Sequence, residues 1–194
     1  MSPKAASDAD RFLALLRPIE RELEVYCRRL VWESQEAPDT MQNAVLRAFG
    51  AFERYDPQAS FRAWMFKILT REAFTMNRKH ARIARHEFQL EPEELAALAP
   101  AAKPGPADAP AALPPAWDEA LEGRLAEGLK MLTDPERAVL LLRSIGELRY
   151  REIGDSLGIP LGSVMGHLWR ARQKMRAFLG RSAPRSSFLK ENGL

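Results

Sequence analysis

The chain has 194 residues, 46% of them apolar and 28% charged, the proportions of an ordinary globular protein with one domain or two small ones. Its single cysteine, Cys27, excludes an internal disulfide and any multi-cysteine zinc site. The net charge of +3 is modest, but residues 62–86 hold seven Arg/Lys against one acid, residues 87–127 nine acids against two bases, and residues 161–190 seven bases and no acid. Two basic blocks around an acidic one point to two separate contacts with a polyanion. No apolar run reaches the length of a membrane span, and the opening MSPKAASDADRF lacks the apolar segment of a signal peptide. A cytoplasmic protein without membrane insertion is therefore expected.

Helical spacing dominates and no segment sustains the alternation of a strand, so the expected fold is all-α. Phe12, Leu16, Ile19, Leu23, Tyr26 and Leu30 line one face of a helix over roughly residues 9–33, with Cys27 as a buried thiol. A second helix is expected to start at Asp39, an N-cap after Pro38, and to carry Met41, Val45, Ala48, Phe49 and Phe52 inward. After the turn YDPQAS, Ser60 caps a long helix whose apolar face is Phe61, Trp64, Met65, Ile68 and Leu69. That helix runs into the basic segment NRKHARIARH. Together these helices make one unit, residues 8–86.

Residues 99–117, APAAKPGPADAPAALPPAW, have the composition of a linker, since proline interrupts hydrogen-bonded structure and small side chains bury little. With the acidic stretch before them they assign residues 87–116 as a connector. A second unit over residues 117–180 opens with Leu121, Leu125, Leu129 and Leu132 on one helix. Thr133-Asp134-Pro135-Glu136 is a capping box with proline in the first turn. Val139, Leu140 and Leu142 continue that helix to a stop at Gly146. Residues 150–172, YREIGDSLGIPLGSVMGHLWRAR, then read as a helix-turn-helix. Ile153, Leu157, Ile159, Val164 and Leu168 are its apolar positions, Gly154 the close approach, and Gly158 the positive-φ turn. Pro160 opens the next helix. That helix presents Ser163, Met165, Gly166, His167, Arg170 and Arg172 away from the core, the layout for entering a major groove with cations on phosphates. The tail, residues 181–194, is polar.

Two small helical units on a flexible tether, the second closing in a helix-turn-helix, resemble the extracytoplasmic-function group of the sigma-70 family of bacterial RNA polymerase sigma factors. LTDPERAVLLLRSIGELRYREIGDSLGIPLGSVMGHLWRARQKM is similar to sigma region four nearly position by position, and PDTMQNAVLRAF with SFRAWMFKIL is similar to region two. The chain departs from the family pattern at Pro38, where an acid is usual, at Arg71 in place of asparagine, at Thr75 in place of aspartate, and at Gly166-His167 in place of a serine–arginine pair.

The resemblance implies that Asp39, Gln42, Asn43 and Arg47 bind the clamp helices of the polymerase largest subunit, with the flap as a further contact. It implies that Gln58, Ser60, Phe61, Arg62, Arg71, Arg78, Lys79 and Arg82 meet the opened minus-ten element. Arg149, Ser163, Met165, His167, Arg170, Arg172 and Lys174 would meet the minus-thirty-five duplex, and an anti-sigma factor is an expected partner. The tether passes a reach test: elements under two helical turns apart lie roughly 60 Å distant, and nineteen extended residues span at most about 65 Å. Two other readings remain open: a helix-turn-helix regulator that binds duplex DNA unaided, and a sigma mimic that sequesters an anti-sigma factor. No phosphate loop, no nucleophile beside a base and no paired carboxylates in an apolar setting are found, so neither an enzyme nor a cofactor is expected. The three histidines have no metal-site spacing.

Overall fold

A computed structural model describes residues 3–88 and 119–181. Residues 1–2, 89–118 and 182–194 lie outside the described residues, and with them most of the connector expected over 87–116 and of the tail expected over 181–194. The described residues contain helices and turns and no strand. Proline lacks the N–H that a helix interior needs, and Pro18 divides the expected first helix. It becomes α1 (Pro3–Leu16), a 3-10 turn (Arg17–Ile19) and α2 (Glu20–Leu30). The apolar stripe survives the break: Phe12, Leu16, Ile19, Leu23, Tyr26 and Leu30 are all buried.

Helix α3 spans Ala37–Ala51 with Glu36 as its N-cap and proline in its first turn. Asp39 is therefore inside the first helical turn, not at the cap. Ala44, Ala48 and the following Phe52 are buried, but Phe49 is 41% exposed and does not point wholly inward as expected. Its ring meets Phe12 edge-on at 5.5 Å. Helix α4, Phe61–Phe88, begins where expected, with the Ala63 N–H donating to Ser60 Oγ at 3.2 Å. Two polar residues tie α4 to α2 inside the core. Thr70 Oγ1 lies 2.6 Å from Tyr26 Oη, and Asn77 accepts from the Trp32 N–H and donates to the Leu30 carbonyl. Asn77 thus satisfies backbone groups that the end of α2 leaves unpaired.

The second unit comprises α5 (Glu119–Lys130), α6 (Asp134–Ser144), α7 (Tyr150–Leu157) and α8 (Leu161–Arg181). The capping box forms as read, with the Thr133 N–H donating to Glu136 Oε2 at 3.1 Å. Buried Arg137 donates to the Leu129 and Leu132 carbonyls, closing the end of α5 from the next helix. In the helix-turn-helix, Gly158 has φ +69°, where side chains are strained, and a Cβ on Gly154 would sit 2.9 Å from the Ile159 carbonyl oxygen. Pro160 stands one residue before α8 and supplies the carbonyl that Ser163 and Val164 N–H groups bond.

The two units pack against each other, α2 on α6 and α4 on α7. Arg62 of α4 donates from Nε to the Gly146 carbonyl at 2.7 Å and from Nη2 to the Ile145 carbonyl at 3.1 Å. Trp32 Nε1 donates to Asp134 Oδ1 at 2.9 Å, and Arg29 lies 3.8 Å from Glu122.

Candidate polymerase and nucleic-acid interfaces

Three surfaces carry the residues singled out from the sequence. On α3 the helical spacing puts Asp39, Gln42, Asn43, Leu46 and Arg47 on one continuous exposed face. Leu46 is 61% exposed, and Gln42 borders a groove floored by Leu13, Met41 and Val45. Arg47 is not a free cation, since its Nε lies 3.1 Å from Glu72 of α4. A polar rim around exposed leucines is the composition of a protein contact surface.

The second surface follows the turn into α4. Gln58 and Ser60 are exposed at the turn, and Arg71, Arg78, Lys79 and Arg82 are exposed along the helix. Thr75 donates to the Arg71 carbonyl and accepts from Arg78 Nη2. Two predicted members are placed differently. Phe61 is buried, within 6 Å of the Phe12, Tyr55 and Trp64 rings, so it belongs to the core and offers no face to an unstacked base. Arg62 is held against the carbonyls of Ile145 and Gly146 and lies over the Phe66 ring at 5.6 Å. In this arrangement it is turned toward the second unit.

The third surface is α8 with the start of α7. Arg149 is exposed, and its backbone N–H is capped by Glu152 at 2.7 Å. Val164, Leu168 and Ala171 face the core, which leaves Ser163, His167 and Arg172 half-exposed and Met165 exposed. Leu161 and Trp169 join Met165 on the outer face, each more than a third exposed. Their spacing of four was visible in the sequence, but Trp169 was not singled out, because an aromatic beside Leu168 reads as core. Arg170 and Lys174 converge on one buried acid: Glu136 lies 3.3 Å from Arg170 Nε and 2.7 Å from Lys174 Nζ. Burial alone would push the Glu136 carboxyl up, but bonds from Lys174 and Thr133 outweigh it and hold its pKa below the usual value. Arg170 Nη2 in turn lies 2.9 Å from His167 Nδ1. Burial, then the Arg170 charge, holds the imidazole pKa below its ordinary value, so His167 is neutral at pH 7. No group of acids, histidines and cysteines able to hold a metal occurs among the described residues.

A helix-turn-helix with an open recognition face, joined to a helical unit with a basic helix, defines a DNA-binding protein built from two modules. Residues 15–83 match the model of sigma-70 region 2, and residues 122–175 match that of sigma-70 region 4. The chain is 30% identical over 148 residues to the RNA polymerase sigma factor CnrH of Cupriavidus metallidurans, covering 74% of this chain and 73% of CnrH. It is 31% identical over 153 residues to the ECF RNA polymerase sigma factor SigE of Mycolicibacterium smegmatis, covering 79% of this chain and 55% of SigE. The chain thus spans about half the length of that relative. Among solved structures, the sigma factor RpoE of Bartonella quintana, in complex with the anti-sigma factor NepR, shares the fold. Its TM-score is 0.68 at 19% identity, over 89% of this chain and 98% of that one. The chain belongs to the sigma-70 family, in its extracytoplasmic-function group.

Proposed function

We propose that the chain is a sigma factor that binds core RNA polymerase and directs promoter-specific initiation, without a catalytic centre or cofactor of its own. The observation that carries this reading is the recognition helix α8. Its core-facing residues fix it in the unit, while Ser163, Met165 and His167 stay accessible for base edges and Arg172 for a phosphate. The exposed row on α3 supports a contact with the clamp helices of the largest subunit, and the exposed cations of α4 support contact with the opened minus-ten strand. Two units, residues 8–86 and 117–180 on a connector over 87–116, suit two promoter elements; the polymerase flap is the proposed seat of the second. A cytoplasmic location follows from that partner, and no described helix is long and apolar enough to cross a membrane.

Elements roughly 60 Å apart cannot both be met while α4 rests on α7, so the units part when polymerase and promoter are bound. An anti-sigma factor is a fitting protein partner, as the RpoE structure contains NepR and a structure of CnrH contains the cytosolic domain of CnrY. Run-off transcription with core polymerase on a genomic fragment library tests the reading. Discrete start sites that depend on the chain are expected. Tight sequence-specific binding by the free chain, with no transcription, would favour a regulator acting alone.

A further inference from the structure

The recognition helix α8 carries His167, and its ring is held by a relay that begins on another helix. Glu136 sits in the first turn of α6 and is 3% exposed. Its Oε2 accepts from the Thr133 N–H at 3.1 Å and from Lys174 Nζ at 2.7 Å, while Oε1 faces Arg170 Nε at 3.3 Å. With Nε so engaged, the outer edge of the same guanidinium reaches His167, Nη2 to Nδ1 at 2.9 Å.

The chemistry of that short contact has one solution. A guanidinium has five N–H donors, no acceptor, and stays charged in proteins. His167 Nδ1 must therefore present its lone pair, and in a neutral imidazole the proton then resides on Nε2. Protonating Nδ1 as well would set two N–H groups against each other. The depressed pKa of the ring agrees with this, burial and the Arg170 charge outweighing the pull of Glu136. Nε2 makes no hydrogen bond to another described residue and is not a buried orphan, which leaves it to solvent.

We propose that Glu136 is a positioning residue for promoter recognition: through Arg170 it fixes His167 as an outward hydrogen-bond donor that selects a base bearing a major-groove acceptor. The inference rests on the sigma-factor reading and names what its recognition helix discriminates. Guanine offers N7 and O6, adenine N7 and thymine O4, whereas cytosine offers the N4 amino donor alone. Cytosine facing His167 therefore leaves two donors opposed, and it is the base this residue rejects. Arginine at the same position would carry several donors and favour guanine; a single imidazole N–H sets a looser rule, acceptor against donor.

Two measurements on the full chain test this. The first is the two-bond nitrogen–proton correlation spectrum of the imidazole rings, assigned to His167 by comparison with His167→Gln. The Nε2–H pattern is expected in the wild type, and a mixture of tautomers in Glu136→Gln. Glutamine keeps the bond to the Thr133 N–H, so the start of α6 is preserved. Arg170→Met, which leaves Glu136 paired with Lys174, gives the same mixture and serves should Glu136→Gln fail to fold. A wild-type Nδ1–H pattern, or one unchanged in the variants, overturns the relay.

The second measurement is transcription by the reconstituted holoenzyme on a promoter with each upstream base pair exchanged in turn. One position should disfavour cytosine by about tenfold in the wild type, as expected for one hydrogen bond. That preference should shrink to about twofold in Glu136→Gln. Identical base preferences in the two proteins overturn the proposal while leaving the sigma-factor reading intact. No transcription from any promoter would instead overturn that reading, and the base rule with it.

Discussion

The closed arrangement makes a prediction that can be sized from its contacts. Arg62 donates two hydrogen bonds, at 2.7 and 3.1 Å, to carbonyls just past the end of α6, where helix-terminal oxygens carry partial negative charge. A bond from a charged donor contributes about 1.5–3 kcal/mol net of its exchange with water, and because both contacts are only part-buried the pair is set at the low end, about 2 kcal/mol together. At tenfold per 1.4 kcal/mol, Arg62→Ala lowers the closed-to-open ratio by roughly thirtyfold. Trp32 is 43% exposed, so its bond to Asp134 contributes less, and Trp32→Phe shifts the ratio by about threefold or less. Single-molecule energy transfer between dyes on cysteines at the exposed positions Lys79 and Asp155 reads the ratio directly, because buried Cys27 does not compete for label. A new low-transfer population in Arg62→Ala, with the wild type mainly at high transfer, is the expected result. Equal distributions in the two proteins would refute the reasoning, since Arg62 would then not hold the units together.

Asp39→Ala with Gln42→Ala should weaken core polymerase binding at least tenfold with little change in thermal stability, because both are exposed and Glu36 holds the cap position; unaltered affinity in the folded variant would remove α3 from the interface. Gly158→Ala should cost about 1–2 kcal/mol for its left-handed backbone. Gly154→Ala should cost more, about 2–3 kcal/mol, because its new Cβ meets a backbone oxygen that cannot turn away; denaturant unfolding would show the order. Arg172→Ala should reduce the slope of log affinity against log salt for upstream duplex by about one unit without changing sequence preference, and an unchanged slope would exclude a phosphate contact. The depressed pKa of Glu136 means that its contribution to stability is present above its unfolded pKa and is lost as pH falls through the lower folded value. Below about pH 4.5 the wild type should therefore lose its advantage over Glu136→Gln, measured by melting each from pH 7 to pH 3.

The helix-turn-helix was legible because everything that defines it is local. Its apolar spacing, the positive-φ glycine and the tight glycine lie within about fifteen residues, and each has one physical reason. The capping box at Thr133 and Glu136 was legible for the same cause. The first helix was read too long because the apolar stripe continues across Pro18 even though the hydrogen-bond ladder does not. An acid after proline fits the pattern of a cap at Asp39, but the backbone starts the helix earlier and uses the acid inside the first turn. Phe61 carries two readings, the apolar face of α4 from its spacing and a contact for unstacked bases from the resemblance. Its cluster with Phe12, Phe52 and Tyr55 agrees with the first, and only which rings it meets depends on packing that spacing does not encode. The relay from Glu136 was invisible for a related reason. Its partners lie 34 and 38 positions away, and nothing in the sequence pairs one acid with two of several cations.

The departures at Arg71 and Thr75 gain a physical meaning on α4. An aspartate at position 75 would lie one helical turn from Arg71 and three residues from Arg78, near enough to neutralise part of both cations. Threonine holds Arg78 with a neutral hydroxyl and returns its own proton to the Arg71 carbonyl, so the guanidinium is positioned without losing its field. Arg71 in place of asparagine exchanges an amide, able to donate to and accept from a base edge, for a donor-only cation suited to phosphate. If this surface meets an opened strand as proposed, both changes suit it to gripping the backbone more than to reading bases. Contacts of that kind are sequence-tolerant and steeply dependent on salt. On the proposed reading, selectivity would then rest more heavily on the second unit, where α8 exposes Met165 and carries a neutral His167. A sigma factor arranged in this way would discriminate promoters mainly by their upstream element, and would hold the strand that polymerase opens below it chiefly by charge.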